Sequence, residues 1–419
     1  MNDRPTFAEA FAVWSRIGVL SFGGPAAQIA LMHREVVDRK SWLSEKQFLN
    51  ALSFCMLLPG PEAMQLATFA GWRLHGLIGG LAAGLMFVLP GAIIVLCLAA
   101  AYVAFGDAPL MAAIFLGVKA AVVVIVIEAL IKVAKRALKG ADRWVMAGLA
   151  FAGIFFFQLP FPLIVLAAAL YGFAKGGEAV EVAGAPSVSP KQTLMTVLIW
   201  AAIWAAPVLL IWIFGGAPLL LDVAGFFSKL AVVTFGGAYA VLAYMAQDVV
   251  SGFGWLTTGQ MMDGLGLAET TPGPLILVTE FVGFLAGYQQ GGWGLAILAA
   301  ALTLWVTFAP CFLWIFAGAP YIDWLGAQPR LAGALAAITA AVVGVILNLS
   351  LWFAIHVFFA EVSFTALGPI ALISPDPGSI DWRVAALTLI SAALLLWVKW
   401  GVPRTLAIAA ASGLALSYF

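Results

Sequence analysis

One stretch of this chain occurs twice, and the duplication restricts the fold more than any other feature. The first copy runs from Phe22 to Pro61 and the second from Phe235 to Pro274, at a constant offset of 213 residues. The copies are identical at 15 of 40 positions without a gap, and the matches include glycine, proline and tryptophan. A repeat in fixed register predicts that the chain is built from two homologous halves.

Long apolar stretches fill both halves. Residues 110–127, for example, are interrupted only by Lys119. The chain is 64% hydrophobic and 10% charged, whereas soluble domains are about 25% charged. Continuous apolar stretches of this length predict helices that span a lipid bilayer, and the lack of alternation excludes a membrane β-barrel. We therefore predict an all-α polytopic membrane protein.

Each copy also contains two breaks rich in glycine and proline. The apolar pieces beside them fall short of the roughly 20 residues that a spanning helix needs. We therefore predict broken or re-entrant helices, whose irregular backbone is tolerated at membrane depth only inside protein or beside a wet cavity. The breaks are Phe22, Gly23, Gly24 and Pro59, Gly60, Pro61 in the first half, and Phe235, Gly236, Gly237 and Pro272, Gly273, Pro274 in the second.

These breaks are candidate substrate-binding segments. Where a helix restarts, free backbone N–H groups and the positive end of its dipole favour an anion, and glycine lets that anion approach the backbone closely. Four such helix ends directed at one point would suit an oxyanion. The alternative is that glycine and proline are simply common in membrane helices.

The repeat also duplicates charge inside apolar sequence. Arg16 and Lys229 each lie six residues before a Phe-Gly-Gly break, and Glu9 and Asp222 each lie seven residues earlier still. A basic residue at membrane depth costs roughly 3 kcal/mol, which favours a function such as oxyanion binding. Alternatively, each basic residue pairs with its carboxylate or extends to the membrane interface.

Four glutamates in or beside apolar stretches are candidate proton carriers. Burial raises the pKa of a carboxyl group towards neutrality, so such groups can exchange protons during transport. A structural ion pair with Arg73, Lys119 or Lys132 is the alternative for each. The four are Glu62, Glu128, Glu269 and Glu280.

The distribution of basic residues predicts the topology. Residues 33–46 and 132–143 hold nine of the 20 Lys and Arg, whereas their equivalents 246–259 and 345–356 hold none. Because cytoplasmic loops are enriched in Lys and Arg, the two halves should be inverted with respect to each other. The alternative is a parallel duplication whose second half lost its charges.

An inverted pair needs an odd number of crossings between its halves, and one extra apolar stretch supplies it. We expect a first repeat over 1–175, a linker over 176–192, a connecting helix over 193–218 and a second repeat over 219–419. Late in the second repeat we expect separate spans at 331–351 and 352–373.

Several function classes are excluded by what the sequence lacks. Three cysteines and three histidines are scattered, and no phosphate-binding GxxxxGK[ST] motif occurs, so we expect no metal, no cofactor and no ATP hydrolysis. The formal net charge is zero, so we expect no nucleic-acid partner. Reduction of an oxyanion would need a redox cofactor or a thiol pair, and we expect a transporter rather than an enzyme. From the composition of the first residues we expect no removable signal peptide.

With these motifs in view, the sequence resembles the long, two-domain form of the chromate ion transporter family. The resemblance covers nearly the whole chain. The segments that carry it are SFGGPAAQIALMHREVVDRKSWLSEKQFLNALSFCMLLPGPEAMQLATFAGWRLHG (21–76), GGLAAGLMFVLPGA (79–92), TFGGAYAVLAYM (234–245) and TTPGPLILVTEFVGF (270–284).

The resemblance implies export of chromate across the bacterial inner membrane, and hence chromate resistance. It also implies that the Phe-Gly-Gly and Pro-Gly-Pro segments matter most. Sulfate is the expected competitor, and a permease for sulfate or a related oxyanion is the alternative function. A homodimer is an arrangement that the sequence leaves open.

Overall fold

We describe the fold from a computed structural model, in which residues 5–106, 108–177, 188–235, 238–326, 328–368 and 370–416 are described. The helices are α1 (Phe7–Leu20), α2 (Gly24–His33), α3 (Glu45–Cys55), α4 (Glu62–Phe105), α5 (Pro109–Ala137), α6 (Ala141–Phe155), α7 (Phe161–Lys175), α8 (Pro190–Phe214), α9 (Pro218–Val233), α10 (Ala238–Gln247), α11 (Thr258–Thr270), α12 (Val278–Gly318), α13 (Ile322–Gly326), α14 (Pro329–Phe358), α15 (Trp382–Ala392) and α16 (Val402–Leu416). Two strands, β1 (Val362–Leu367) and β2 (Ile370–Pro375), form an antiparallel hairpin.

The protein is an all-α polytopic membrane protein, as predicted. Within the described residues, five helical segments are long and apolar enough to cross a membrane: Glu62–Phe105, Pro109–Ala137, Pro190–Phe214, Leu275–Tyr321 and Pro329–Phe358. Helix α8, the predicted connecting helix, buries only Trp200, which stacks on Phe312. Its remaining apolar surface is available to lipid.

Helices α4 and α12 are each folded back on themselves. A straight helix of 44 residues would be about 66 Å long, roughly twice the thickness of the hydrocarbon core. The chain turns at His75 and Gly76 in α4 (φ −133° and +62°) and at Gly291 and Gly292 in α12 (φ −155° and +67°). The two turns have the same backbone conformation, so the second copy repeats the shape of the first beyond the stretch of sequence identity.

Glycines let the two arms of each hairpin approach closely. A Cβ atom added to Gly71 would lie 2.3 Å from the carbonyl oxygen of Gly79, and one added to Gly287 would lie 2.6 Å from that of Leu295. Gly84 packs in the same way against Thr68 within α4. Small residues at such crossings allow the backbone contact that stabilises helix pairs in lipid.

The connection after each first break is also repeated. A π-helical turn at Arg34–Arg39 has its equivalent at Asp248–Gly252. The next helix then begins with the same reciprocal cap. Ser44 and Gln47 exchange side-chain and backbone hydrogen bonds at the start of α3, as Thr257 and Gln260 do at the start of α11.

The compact units of the structure do not follow the halves of the sequence. The first unit contains Met1–Ala99, Gly177–Ala238 and Thr271–Ala332, and the second contains Ala100–Gly176, Tyr239–Thr270 and Gly333–Phe419. Each unit therefore takes segments from both copies of the repeat. The division into 1–175, 176–192, 193–218 and 219–419 stays a prediction about the duplication, and part of its linker, residues 178–187, lies outside the described residues.

One predicted span is wrong. Residues 352–373 do not form a separate helix, because α14 continues without a break to Phe358 and the hairpin of β1 and β2 follows. The sequence over 362–375 is rich in β-branched and apolar residues, which suit a short strand as well as a helix. Residues 345–356 are thus helical rather than a loop, and the connection after α14 is 359–381, which also lacks Lys and Arg.

Candidate functional site

The first break of each repeat ends one helix and restarts the next. Helix α1 ends before Ser21. Gly23 and Gly24 then take left-handed φ values of +86° and +77°, and α2 begins at Gly24 with Pro25 in its first turn. A side chain would be strained at either glycine. In the second copy, Phe235 N–H donates to the carbonyl of Val233, as Phe22 N–H does to Leu20. Gly236 and Gly237 lie outside the described residues.

The second break of each repeat is a buried turn. Gly60 and Gly273 have φ values of +117° and +91°, and both are buried. A Cβ atom on Gly60 would lie 2.9 Å from Gln65 Nε2 and 3.0 Å from Cys311 Sγ. The positive φ values, together with these close side-chain contacts, favour glycine between the two prolines.

The breaks of the two repeats are joined crosswise. Gly273 N–H donates to the carbonyl of Ser21, and Gly60 N–H donates to the carbonyl of Thr234, both at 2.9 Å. Ser21 and Thr234 are equivalent positions, as are Gly60 and Gly273. All four lie in the first compact unit. Each Phe-Gly-Gly break is thus held by the Pro-Gly-Pro break of the other repeat. Two repeats related by a two-fold axis make such reciprocal contacts.

Two glutamines that the sequence reasoning missed complete this arrangement. Gln28 is buried, and its Nε2 donates to the carbonyls of Gly273 at 2.7 Å and Ser21 at 3.3 Å. Gln65 is fully buried, and its Nε2 donates to the carbonyl of Pro59 at 2.7 Å. A polar glutamine inside each apolar segment that follows a first-half break could have indicated these residues. Comparison of the two copies does not mark them, because the equivalent positions in the second copy are Val241 and Val278.

The three breaks that the structure describes in full are not equally available to a ligand. The N–H groups of Gly60 and Gly273 are already used, and both Pro-Gly-Pro segments are largely or wholly buried. The start of α2, in contrast, has no side-chain cap, and nothing lies within 4 Å of a Cβ placed on Gly24. The N–H groups of Gly24 and Ala26, on either side of Pro25, which has none, therefore lack an intrahelical partner beside open space, the arrangement that favours an anion.

Arg16 and Lys229 lie on exposed faces of α1 and α9. The predicted alternative pairing of Arg16 with Glu9 is not formed, because Glu9 pairs with Lys40 at 2.8 Å. Helix α1 buries its opposite side, which includes Trp14 and Ile17. An assignment of either basic residue to the substrate stays a prediction.

The four glutamates differ in their surroundings. Glu128 pairs with Lys132 at 2.6 Å, so it forms the structural ion pair that is the alternative to a proton carrier. Glu62 is half-buried at the start of α4. Glu269 is buried and accepts a hydrogen bond from Tyr239 at 2.9 Å. Glu280 is 1% exposed, and its Oε2 has no hydrogen-bond partner among the described residues. Glu269 and Glu280 thus have the environment expected of a carboxyl group that gains and loses a proton.

Comparison with known proteins agrees with the motifs. The sequence profile of the family described as "Chromate transporter" matches residues 8–173 and 221–415. A "Chromate transport protein" of Pseudomonas aeruginosa is 35% identical over 351 residues, which cover 81% of this chain and 79% of that protein. No solved structure matches the chain.

Two further relatives are similar over the same length. A "Chromate transport protein" of Cupriavidus metallidurans is 31% identical over 83% of this chain and 82% of its own. A "Probable chromate transport protein" of Synechococcus elongatus is 30% identical over 79% of this chain and 80% of its own. These relatives are named as transport proteins and not as enzymes. The chain therefore belongs to the chromate transporter family.

Proposed function

We propose that this protein is a secondary transporter that exports chromate across the bacterial inner membrane and thereby confers chromate resistance. The membership of the family and the names of the relatives support chromate as the substrate. Direction, driving force and cellular location are inferred from physical arguments.

The observation that carries the proposal is the crosswise pairing of the breaks. Because each Phe-Gly-Gly segment is held by hydrogen bonds from the other repeat, the uncapped amides at the start of α2 keep their direction without a ligand. Preorganised N–H groups bind an anion more strongly than mobile ones. We propose that Gly23 and Gly24 contact the oxyanion and that the Pro-Gly-Pro segments position them.

The charge of chromate supports export. A dianion that leaves an inside-negative cell releases about 4.6 kcal/mol at 100 mV, which can sustain a gradient of about a thousandfold. Membrane potential alone can therefore drive efflux. A proton gradient can add to this driving force through Glu269 or Glu280, the two candidates whose carboxyl groups are buried.

We infer that the two repeats are inverted. The basic connections of the first repeat, 33–46 and 132–143, place that side in the cytoplasm, whereas 246–259 and 359–381 contain no basic residue. Helix α8 supplies the odd crossing. The substrate site would then lie where the repeats meet, as in other transporters with broken helices.

Flux in proteoliposomes tests the function. Purified protein is reconstituted, vesicles are loaded with radiolabelled chromate or sulfate, and potassium with valinomycin sets the potential while the pH gradient is varied separately. We expect chromate efflux to increase with inside-negative potential and sulfate to move much more slowly. If sulfate moves as fast and its flux depends on protons, the protein is a sulfate permease.

Charge variants run in the same assay test the two repeated basic residues. Arg16→Ala and Lys229→Ala should each reduce chromate flux if both repeats contribute to the site. Lys139→Ala removes an exposed basic residue from the connection between α5 and α6 and serves as the matched control. Equal flux in all three variants would remove Arg16 and Lys229 from the site.

A further inference from the structure

The second compact unit contains a cavity of about 490 Å³ that the function described so far does not use. It lies between the middle of α5, the start of α11, the end of α14 and the hairpin of β1 and β2. Residues that line it include Lys119, Thr258, Gly259, Met262, His356 and Phe364.

Lys119 brings a positive charge to this cavity. Its Nζ lies 2.9 Å from Asp263 Oδ1, and Tyr102 donates to Asp263 Oδ2 at 2.8 Å. The lysine side chain is 22% exposed and lines the cavity, whereas the aspartate is 9% exposed and lies behind it. The ammonium group therefore stands between an internal carboxylate and the open space.

The start of α11 presents a second feature that favours an anion. Thr257 and Gln260 cap one amide of this 13-residue helix, and the N–H groups of Thr258 and Gly259 have no intrahelical partner. In the first repeat the equivalent of Thr258 is Glu45, which supplies its own carboxylate and pairs with His33 at 2.6 Å. The second copy lacks that internal anion at the position where the cavity lies.

His356 lines another side of the cavity. Its Nδ1 lies 2.8 Å from the carbonyl oxygen of Trp352, which can only accept, so Nδ1 carries the proton. Nε2 of the neutral ring is then an acceptor, and it can donate to an oxyanion only when the ring is protonated. Phe364 of β1 lies near the ring, with centroids 6.4 Å apart, and places the hairpin at the rim.

We propose that this cavity is a second binding site for a tetrahedral oxyanion, with Lys119 as its charged ligand and Asp263 as the internal carboxylate that competes for that lysine. The proposal rests on the proposed function. On the inverted topology, residues 246–259 face outward, so the site would hold the oxyanion on its way out. An oxyanion that binds in the cavity replaces Asp263 as the partner of Lys119. Because Asp263 competes for this lysine, the oxyanion binds weakly enough to be released.

Binding measured by equilibrium dialysis tests the site directly. Radiolabelled chromate and sulfate serve as probes, with protein purified in detergent, both unaltered and in a Gly24→Ala background that weakens the site at the break. Lys119→Gln should weaken oxyanion binding to the cavity at least tenfold. Asp263→Asn keeps the shape and the hydrogen bond from Tyr102 but frees the lysine, so it should tighten binding.

The opposite signs of these two changes separate a binding role from a structural one. Lys132→Gln is the matched control, because this lysine is on the same helix and also pairs with a carboxylate, Glu128, but does not line the cavity. It should leave binding unchanged. Unaltered binding in Lys119→Gln, or weaker binding in both Lys119→Gln and Asp263→Asn, would overturn the proposal.

Efflux from proteoliposomes distinguishes this proposal from the proposed function. External oxyanion should slow chromate efflux in unaltered protein, and Lys119→Gln should relieve that inhibition about tenfold. If vesicles fail to move chromate but Lys119→Gln still weakens binding, the transport proposal fails and the cavity site stands. If chromate moves and neither binding nor inhibition responds to Lys119, the cavity site fails alone.

Discussion

At the scale of single residues, the second Pro-Gly-Pro break packs against a glycine that has no room for a side chain. A Cβ atom on Gly91 would lie 2.2 Å from the carbonyl oxygen of Pro272, so Gly91→Ala must push α4 away from the second break. We expect the free energy of unfolding to fall by about 1–3 kcal/mol or more, which is what overpacking a protein interior costs. A lower midpoint of thermal unfolding in detergent would show this loss. Gly225→Ala, on α9 with nothing within 4 Å, is the control and should be neutral or slightly stabilising.

Gln28 carries the second prediction at this scale. Gln28→Ala leaves the buried carbonyl of Gly273 without its side-chain donor, which costs about 1–3 kcal/mol. Unfolding in denaturant monitored by circular dichroism should show the loss. Gln192→Ala, on the exposed first turn of α8, should stay within about 0.5 kcal/mol. Equal stability of both variants would mean that Gln28 does not support the break.

The candidate site was only partly predictable from single residues. Gly23, Gly24, Gly60 and Gly273 could be found because the repeat marks them twice, and the structure shows them with positive φ as glycine allows, apart from the equivalents outside the described residues. Gln28 could not be found in this way, because hydrogen bonds that join residues 245 apart are invisible to local pattern. The unequal availability of the three breaks described in full also depends on tertiary contacts.

At the scale of elements, the connection from α2 to α3 is held by a titratable contact. His33 Nε2 lies 2.6 Å from Glu45 Oε2, and Nδ1 lies 3.5 Å from Asp38. The hydrogen bond with Glu45 raises the pKa of His33 above 6.5, opposed by burial and reinforced by the charges of both carboxylates. A raised pKa means that protonated His33 stabilises the fold fully below pH 6.5, and that this contribution disappears as pH rises through the pKa in the folded state.

An NMR titration of the histidine ring protons measures this shift. We expect His33 to titrate above 6.5 and Glu45→Gln to return it towards that value. A His33 pKa at or below 6.5 in the unaltered protein would contradict the contact.

Most of the long helices could be predicted from the sequence, whereas the hairpin of β1 and β2 could not. Apolar length predicted α5 and the connecting helix α8, and the ends of α8 differ from the expected 193–218 by three and four residues. The hairpin of β1 and β2 was missed because apolar, β-branched sequence of that length is ambiguous between helix and strand. Each strand is stabilised by pairing with the other strand of the hairpin, and this pairing cannot be read from the composition of either segment.

At the scale of the whole molecule, the inverted topology predicts opposite accessibility for equivalent loops. In a background without native cysteines, Asp38→Cys and Ser251→Cys occupy equivalent exposed positions in the two copies. We expect a membrane-impermeant maleimide added to intact cells to label Ser251→Cys only, and to label both after lysis. Labelling of both from outside, or of neither, would indicate a parallel duplication.

The central claim is that the restarted helix α2 binds the transported oxyanion, and the chromate concentration for half-maximal efflux in Gly24→Ala tests it most directly. Gly76→Ala is the matched control, since Gly76 also has positive φ (+62°) and open space but lies at the hairpin turn of α4. Both variants carry about the same backbone strain of 1–2 kcal/mol. We predict that Gly24→Ala raises this concentration about tenfold or more and that Gly76→Ala changes it less than about twofold. Equal changes in both variants, or none in Gly24→Ala, would contradict the account.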